Sequence, residues 1–250
     1  MHSSECNEFY LKDEFVLDVW GKFACFTRPT SKVERVTYDV MTPSAARGVV
    51  EAIYWKPEGF YYQITKIEVM KPIRYINIPR TELKAKLNDK GEIEPLYTKS
   101  GSEENTIRHT LYLRDVYYRI YGKIVCSDKD MKHKFYAHLE RRIRKGQCHH
   151  QPSLGTRECM AYFSYPKEEM KPLDLSAHLG EMLYDVFDFS SVSDVTKGEK
   201  VEILNTTKKS NNVKKLVKPR GFIAQLVNGA MYVPNCTQVY HMDKVGDNYV

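Results

Sequence analysis

Apolar and polar positions alternate over EFVLDVWGKFACF, residues 14–26, among β-branched and aromatic side chains, and this predicts a strand. The period then changes. In TPSAARGVVEAIYWKP the apolar residues Ala45, Ala46, Val49, Ala52 and Ile53 share one helical face. Thr42 is a good N-cap, Pro43 fits the first helical position, and the face stops before Pro57. FYYQITKIEVMKPI, residues 60–73, reads as strand again. From Arg80 to Asn105 the chain is charged and carries Gly91, Ser100, Gly101 and Ser102, which predicts a surface loop. TIRHTLYLRDVYYRIYGKIVCS, residues 106–127, is aromatic and β-branched and predicts one bent strand or two. Met131, Phe135, Leu139 and Ile143 then make a single apolar stripe of a helix, with Asp128 or Asp130 as its cap and Gly146 as its stop. A short strand is expected in TRECMAYF, residues 156–163.

The resulting order, β-α-β-β-α-β, is that of the ferredoxin-like (RRM-like) fold shared by many RNA-binding domains, so residues 1–172 are read as one α+β domain. Past Pro172 the pattern differs. LSAHLGEMLYDVF, residues 175–187, fits either a short helix or an extended segment. Asn228-Gly229 between two apolar runs in GFIAQLVNGAMYVPN signals a hairpin through a type I′ turn. TTKKSNNVKKLVKPR, residues 206–220, carries six positive charges and no negative one. Residues 173–250 are therefore read as a smaller, antiparallel β-rich domain with a basic segment. Fold by itself does not specify function.

Composition narrows the class. The 250 residues are 42% hydrophobic and 28% charged, as in a globular chain, and the net charge of +6 does not alone imply a polyanionic partner. The six cysteines form no CxxC and are spread along the chain, as expected of reduced cytoplasmic thiols rather than a disulfide framework. No stretch reaches the roughly 18 apolar residues of a membrane span, and the N-terminus lacks a basic start followed by an apolar run. A cytoplasmic protein without membrane contact is expected.

The charge is concentrated in DMKHKFYAHLERRIRKGQCHH, residues 130–150. His133 and His138 are five residues apart and turn away from each other on a helix, unlike the i, i+4 pair of a zinc helix. Cys148, His149 and His150 lack a second ligand pair. No metal and no cofactor is expected. Lys134, Arg141 and Lys145 project in one narrow sector away from the apolar stripe, which fits either a solvated face or a phosphate-binding one. The aromatic strands before the helix and the second basic stretch favour phosphate.

Five ordered blocks then carry a resemblance: TPSAARGVVEAIYWKP, MKPIRYI, NTIRHTLYLRDVYY, KHKFYAHLERRIRKGQC and LGTRECMAYF. They resemble the CRISPR-associated RAMP-superfamily endoribonucleases of subtype I-C (Dvulg), the fifth Cas family, from about Phe15 to Phe163. The resemblance implies a ferredoxin-like N-terminal domain and metal-independent cleavage of CRISPR repeat RNA (pre-crRNA) beside its hairpin. It also implies retention of the mature crRNA with the other subunits of the type I-C surveillance complex, and it leaves double-stranded DNA open as a further ligand. Carried over block by block, the family's catalytic positions fall on Tyr54, Lys132 and His133.

That chemistry is sound on general grounds. RNA holds its own nucleophile, the 2′-OH, so cleavage needs only in-line orientation and two proton transfers, leaving a 2′,3′-cyclic phosphate and a 5′-OH. A histidine, ordinarily titrating near about 6.5, can carry a proton at neutral pH. A lysine can stabilise charge on the phosphoryl oxygens. A tyrosine can position the 2′-OH or share the transfer, and which of Tyr54 and His133 is the base stays open. Arg47, Lys56, Lys134, Arg141, Arg142, Arg144 and Lys145 are the candidate RNA contacts, with Trp55 either core or contact and His109 a further candidate acid or base. Blander readings stand beside these: Tyr54 as a packing residue, Lys132 and His133 as surface. The rival functions are a non-catalytic RNA- or DNA-binding scaffold of the same complex, and a metal-dependent DNA nuclease, which the lack of a paired-carboxylate pattern disfavours.

Overall fold

The computed structural model describes residues 14–31, 33–56, 60–83, 105–126, 129–167, 169–187, 217–235 and 238–242. In chain order the elements are β1 (Phe15–Ala24), α1 (Pro43–Ile53), β2 (Tyr61–Val69), β3 (Tyr75–Leu83), β4 (Asn105–Val125), α2 (Lys129–Lys145), β5 (Tyr162–Ser164), β6 (Ala177–Phe187), β7 (Val217–Leu226), β8 (Ala230–Tyr232) and β9 (Tyr240–His241). This is a mixed α/β chain, mostly antiparallel sheet with few helices. No helix among the described residues is long and apolar enough to cross a membrane.

The large sheet has the order β5-β1-β4-β2-β8, with β3 added to β4. β4 is its spine, a single strand of 21 residues. Its second half pairs with β1 and β2, and its first half with β3, forming a two-stranded arm. Asp115, with φ of 53°, sits where one set of partners gives way to the other, and its carboxylate accepts from Lys71 Nζ at 2.7 Å. One bent strand is thus the outcome of the aromatic run.

Alternation sorts side chains to the two faces of this sheet. Phe15, Leu17 and Val19 of β1 point to one face with Ile67 and Ile120, all essentially solvent-free. Both helices cover that face: the Phe15 ring meets Tyr62 edge-on, Tyr62 meets Phe60, and Phe60 packs on Phe135 of α2 at 4.4 Å. Thr42 caps α1 as its sequence suggests, accepting from the Ala45 amide at 3.3 Å, with Pro43 starting the helix.

Several expectations change. Residues 80–83 belong to β3, not to a loop, and pair with 105–108, and 84–104 lie outside the described residues. Asp130 is within α2, not its cap, and Asp128 lies outside the described residues. The strand in TRECMAYF shrinks to Tyr162–Ser164, because 153–160 folds back on itself through the Ser153–Met160 bridge. Residues 177–187 are extended, paired with β7 in a separate sheet of order β6-β7-β9. Asn228 and Gly229 have φ of 50° and 76°, as a type I′ turn requires. The strands they join diverge, however: β7 stays in the small sheet while β8 crosses to pair with β2. Of the basic segment, 206–216 lie outside the described residues and 217–220 begin β7.

Candidate RNA-cleavage site

A helix ends with carbonyls that have no partner inside it. At the end of α1 these carbonyls are met from elsewhere in the fold. Ala52 O accepts from the His149 and His150 amides at 2.8 and 3.2 Å, Ile53 O from Arg142 Nη1 at 2.8 Å, and Tyr54 O from the Tyr62 hydroxyl at 2.7 Å. The histidine pair thus serves through its backbone, and no group of three metal-binding side chains occurs among the described residues.

These contacts fix Tyr54 against α2. Its ring is stacked between Phe60 (5.7 Å, 22°) and His138 (5.8 Å, 27°), and the Arg142 guanidinium lies 5.4 Å from its centroid. Tyr54 is only 5% exposed, and its hydroxyl has no hydrogen-bond partner among the described residues. Burial pushes its acidity down, opposed by Arg142 and Arg141, so the group stays protonated at neutral pH. An unpartnered buried hydroxyl costs about 1–3 kcal/mol.

His138, weighed from the sequence only as a metal ligand, stands beside Tyr54. It is exposed, stacked on Tyr54, and its pKa is lowered by partial burial and by the charges of Arg141, Lys56 and Arg142. A neutral imidazole ringed by cations can accept a proton where a phosphate would be drawn. Its signal lay in the helical spacing: Lys134, His138, Arg141 and Lys145 fall on one flank of α2, within about 60° of one another at 100° per residue. Lys56, with its ammonium 5.6 Å from the Phe135 ring, borders the same flank.

His133 lies on the other flank, about 140° around the helix from His138 and about 8 Å along its axis. It is exposed, and Lys132 beside it is half-buried at the first turn. Tyr54 therefore meets His138 and Arg142 directly, and ring contacts through Phe60 and Phe135 lead from it toward the Lys132–His133 end of α2. Arg144 is also on the second flank, bound to Glu140 at 2.8 Å and lying 4.0 Å from the Tyr165 ring.

Arg47 is placed in the interior, not at an RNA surface. It is 8% exposed, its guanidinium donates to both oxygens of Asp185 at 2.9 and 3.1 Å and to Glu51 at 2.6 Å, and it bolts α1 to β6. Trp55 is half-buried, and His109 is exposed on the β3–β4 arm. On the far side of α1 a cleft of about 760 Å³ opens between its first turn and loop 150–157, lined by Thr42, Ser44, Gln151, Gly155, Thr156 and Arg157. Gly155 has φ of 88° and no room for a Cβ against the Cys25 carbonyl, which explains the glycine in LGTREC.

Comparison with known proteins settles the family. The profile described as "CRISPR-associated protein (Cas_Cas5)", of the Cas5d type, matches residues 15–234. The chain belongs to the Cas5d family. It is 42% identical over 170 residues to a Thermus thermophilus protein named CRISPR pre-crRNA endoribonuclease Cas5d, covering 67% of this chain and 71% of that one. A Mannheimia succiniciproducens protein of the same name is 39% identical over 188 residues, covering 68% and 83%. Among solved structures, a CRISPR-associated protein superposes with a TM-score of 0.59 at 24% identity, over 91% of this chain and 96% of the other. A functionally uncharacterized Streptococcus mutans protein gives 0.57 at 21% over the same shares. These two likenesses speak to the fold alone. In this Cas5d chain the segments that carry Tyr54 and Lys132–His133 belong to α1 with its C-terminal cap and to α2, two helices in contact.

Proposed function

We propose that this chain is a metal-independent pre-crRNA endoribonuclease that cuts CRISPR repeat RNA beside its hairpin and stays with the crRNA in a type I-C surveillance complex. The relatives' shared name supports the activity. The observation that carries the site is Tyr54 packed against α2, with His138, Arg142, Arg141 and Lys56 around it. RNA lies along the flank of Lys134, His138, Arg141 and Lys145, reaching Lys56. The 2′-OH attacks the adjacent phosphorus in line, one base takes its proton, and the 5′-oxygen leaves protonated, giving a 2′,3′-cyclic phosphate and a 5′-OH. Where the RNA crosses the first turn of α2, Lys132 steadies the phosphoryl charge. His133, at the position the family resemblance marks, and His138, beside Tyr54, are the two proton carriers to be told apart. Tyr54, a neutral group stacked on His138, orients that imidazole.

The proposed domain architecture is a ferredoxin-like unit, residues 1–172, and a β-rich unit, 173–250. The antiparallel order β5-β1-β4-β2 with helices on one face supports the first, and the β6-β7-β9 sheet the second. Among the described residues Cys25, Cys126, Cys148 and Cys159 form no disulfide, which fits a cytoplasmic setting. A second reading, an RNA-holding scaffold that does not cut, is favoured by one observation: the buried Tyr54 hydroxyl.

The deciding experiment incubates the pure protein with its cognate repeat RNA in EDTA and analyses the ends. Cyclic phosphate, lost when the 2′-OH upstream of the cut is replaced by hydrogen, supports the nuclease. Binding without cutting supports the scaffold. Run in parallel, His133→Ala and His138→Ala identify the proton carrier by which one collapses the cleavage rate while affinity holds.

A further inference from the structure

The face of the large sheet turned away from both helices carries a second set of features that the cleavage site does not use. Trp20 on β1 is the register partner of Tyr162 on β5 and of Tyr117 on β4. Their three rings stand nearly parallel across adjacent strands, Trp20 to Tyr117 at 5.5 Å and 11°, Trp20 to Tyr162 at 6.2 Å and 25°. β5 is the edge of the sheet among the described residues, with no described strand beyond the outer side of Tyr162, and Tyr162 is 56% exposed. The inner end of the ladder is closed, since Tyr117 is buried and its hydroxyl donates to Asp18.

Among the described residues of this face lysines are in excess once the pairs are counted, and the Glu14 carboxylate is engaged by the Thr65 hydroxyl. The strand carboxylates Asp18 and Glu68 already hold Arg119 (2.6 Å) and Lys66 (2.8 Å). Lys22, Lys123 and Lys167 remain exposed with no ion pair among the described residues, and Lys167 Nζ sits 5.7 Å from the Trp20 ring. A peptide strand seeking an edge would find only three residues of β5 to pair with. An open aromatic ladder flanked by lysines suits a flat base followed by a phosphate.

We infer that this face binds a single-stranded stretch of RNA: an unpaired base continues the ladder on Tyr162, and Lys167 and Lys22 take the neighbouring phosphates. The inference rests on the proposed function for the class of ligand only, because the site is on the opposite side of the sheet from Tyr54 and α2. RNA cut at α2 is thereby gripped at a second place, through bases outside the repeat hairpin.

The test uses the full chain with Trp55→Phe, which leaves Trp20 as its one remaining tryptophan of two. A short unstructured adenosine-rich RNA should quench Trp20 emission. Tyr162→Ala should weaken binding about fivefold to a hundredfold, the range for one base on an aromatic ring, and Tyr162→Phe should restore it. Lys167→Gln should weaken it and flatten its salt dependence. With repeat RNA carrying its single-stranded flanks, Tyr162→Ala should raise KM and leave kcat alone. Unchanged affinity and absent quenching, in a variant that still cuts repeat RNA, would sink this site and spare the proposed function. If Tyr162→Ala left RNA binding intact but released a protein subunit from the assembled complex, the face would be a protein interface and the inference would also be wrong.

Discussion

Tyr54 and Arg47 leave the same helix and meet opposite fates. Both are buried, but Arg47 finds two carboxylates, whereas the Tyr54 hydroxyl finds no partner among the described residues. Tyr54→Phe therefore removes a group whose burial is uncompensated. Its melting temperature should stay level or rise, consistent with a gain of up to about 1–3 kcal/mol. If Tyr54 orients the reaction, the same variant should lose cleavage rate, so a drop in both stability and rate would mark it as purely structural. Arg47→Met should do the reverse: it removes the guanidinium that pairs with the buried Asp185 carboxylate and should cost about 3–5 kcal/mol in denaturant unfolding. Repeat-RNA affinity of the folded fraction should be unchanged. A marked loss of affinity at full folding would return Arg47 to the RNA surface.

At the scale of the element, α2 has two flanks with different work. Arg141 and Lys145 are exposed on the flank of His138, whereas Arg144 is held by Glu140 and Tyr165. Neutralising Arg141 and Lys145 should weaken repeat-RNA binding and lower the slope of affinity against salt by about 1 for each phosphate left without its cation. Arg144→Gln should do less. Arg141 also helps hold the His138 imidazole below its ordinary pKa, so Arg141→Gln should raise the midpoint of the His138 ring-proton titration followed by NMR. The sign follows from charge: removing a nearby cation makes protonation easier. A midpoint that fell, or did not move, would detach His138 from this cluster.

For the whole molecule, the turn at Asn228-Gly229 stitches the C-terminal region into the large sheet. The Gly229 amide donates to Leu175 O, its carbonyl accepts from Val69, and β8 completes the edge beside β2. A Cβ at Gly229 would strike the Leu173 backbone, and its φ of 76° disfavours other residues. Gly229→Val should therefore lower the melting temperature of the entire chain in a single transition. A truncation after residue 172 should expose β2 as an edge and aggregate or unfold readily. Two separate melting transitions in the intact chain would show instead that the C-terminal region folds on its own.

Local pattern was enough for much of this protein. The alternation of β1, the cap and apolar face of α1, the stripe of α2 and the positive-φ turn at 228–229 depend on near neighbours in the chain, and all were legible there. The resemblance in five blocks pointed to the Cas5d family by the same token. What lay beyond the sequence was pairing at long range. Which flank of α2 meets Tyr54, which carboxylate claims Arg47, whether 175–187 extends, and where the two strands of a hairpin part company were settled only in the folded chain. Those choices turn on contacts between residues far apart along the polymer, such as Arg47 with Asp185, where burial and charge act through space and leave no periodic trace.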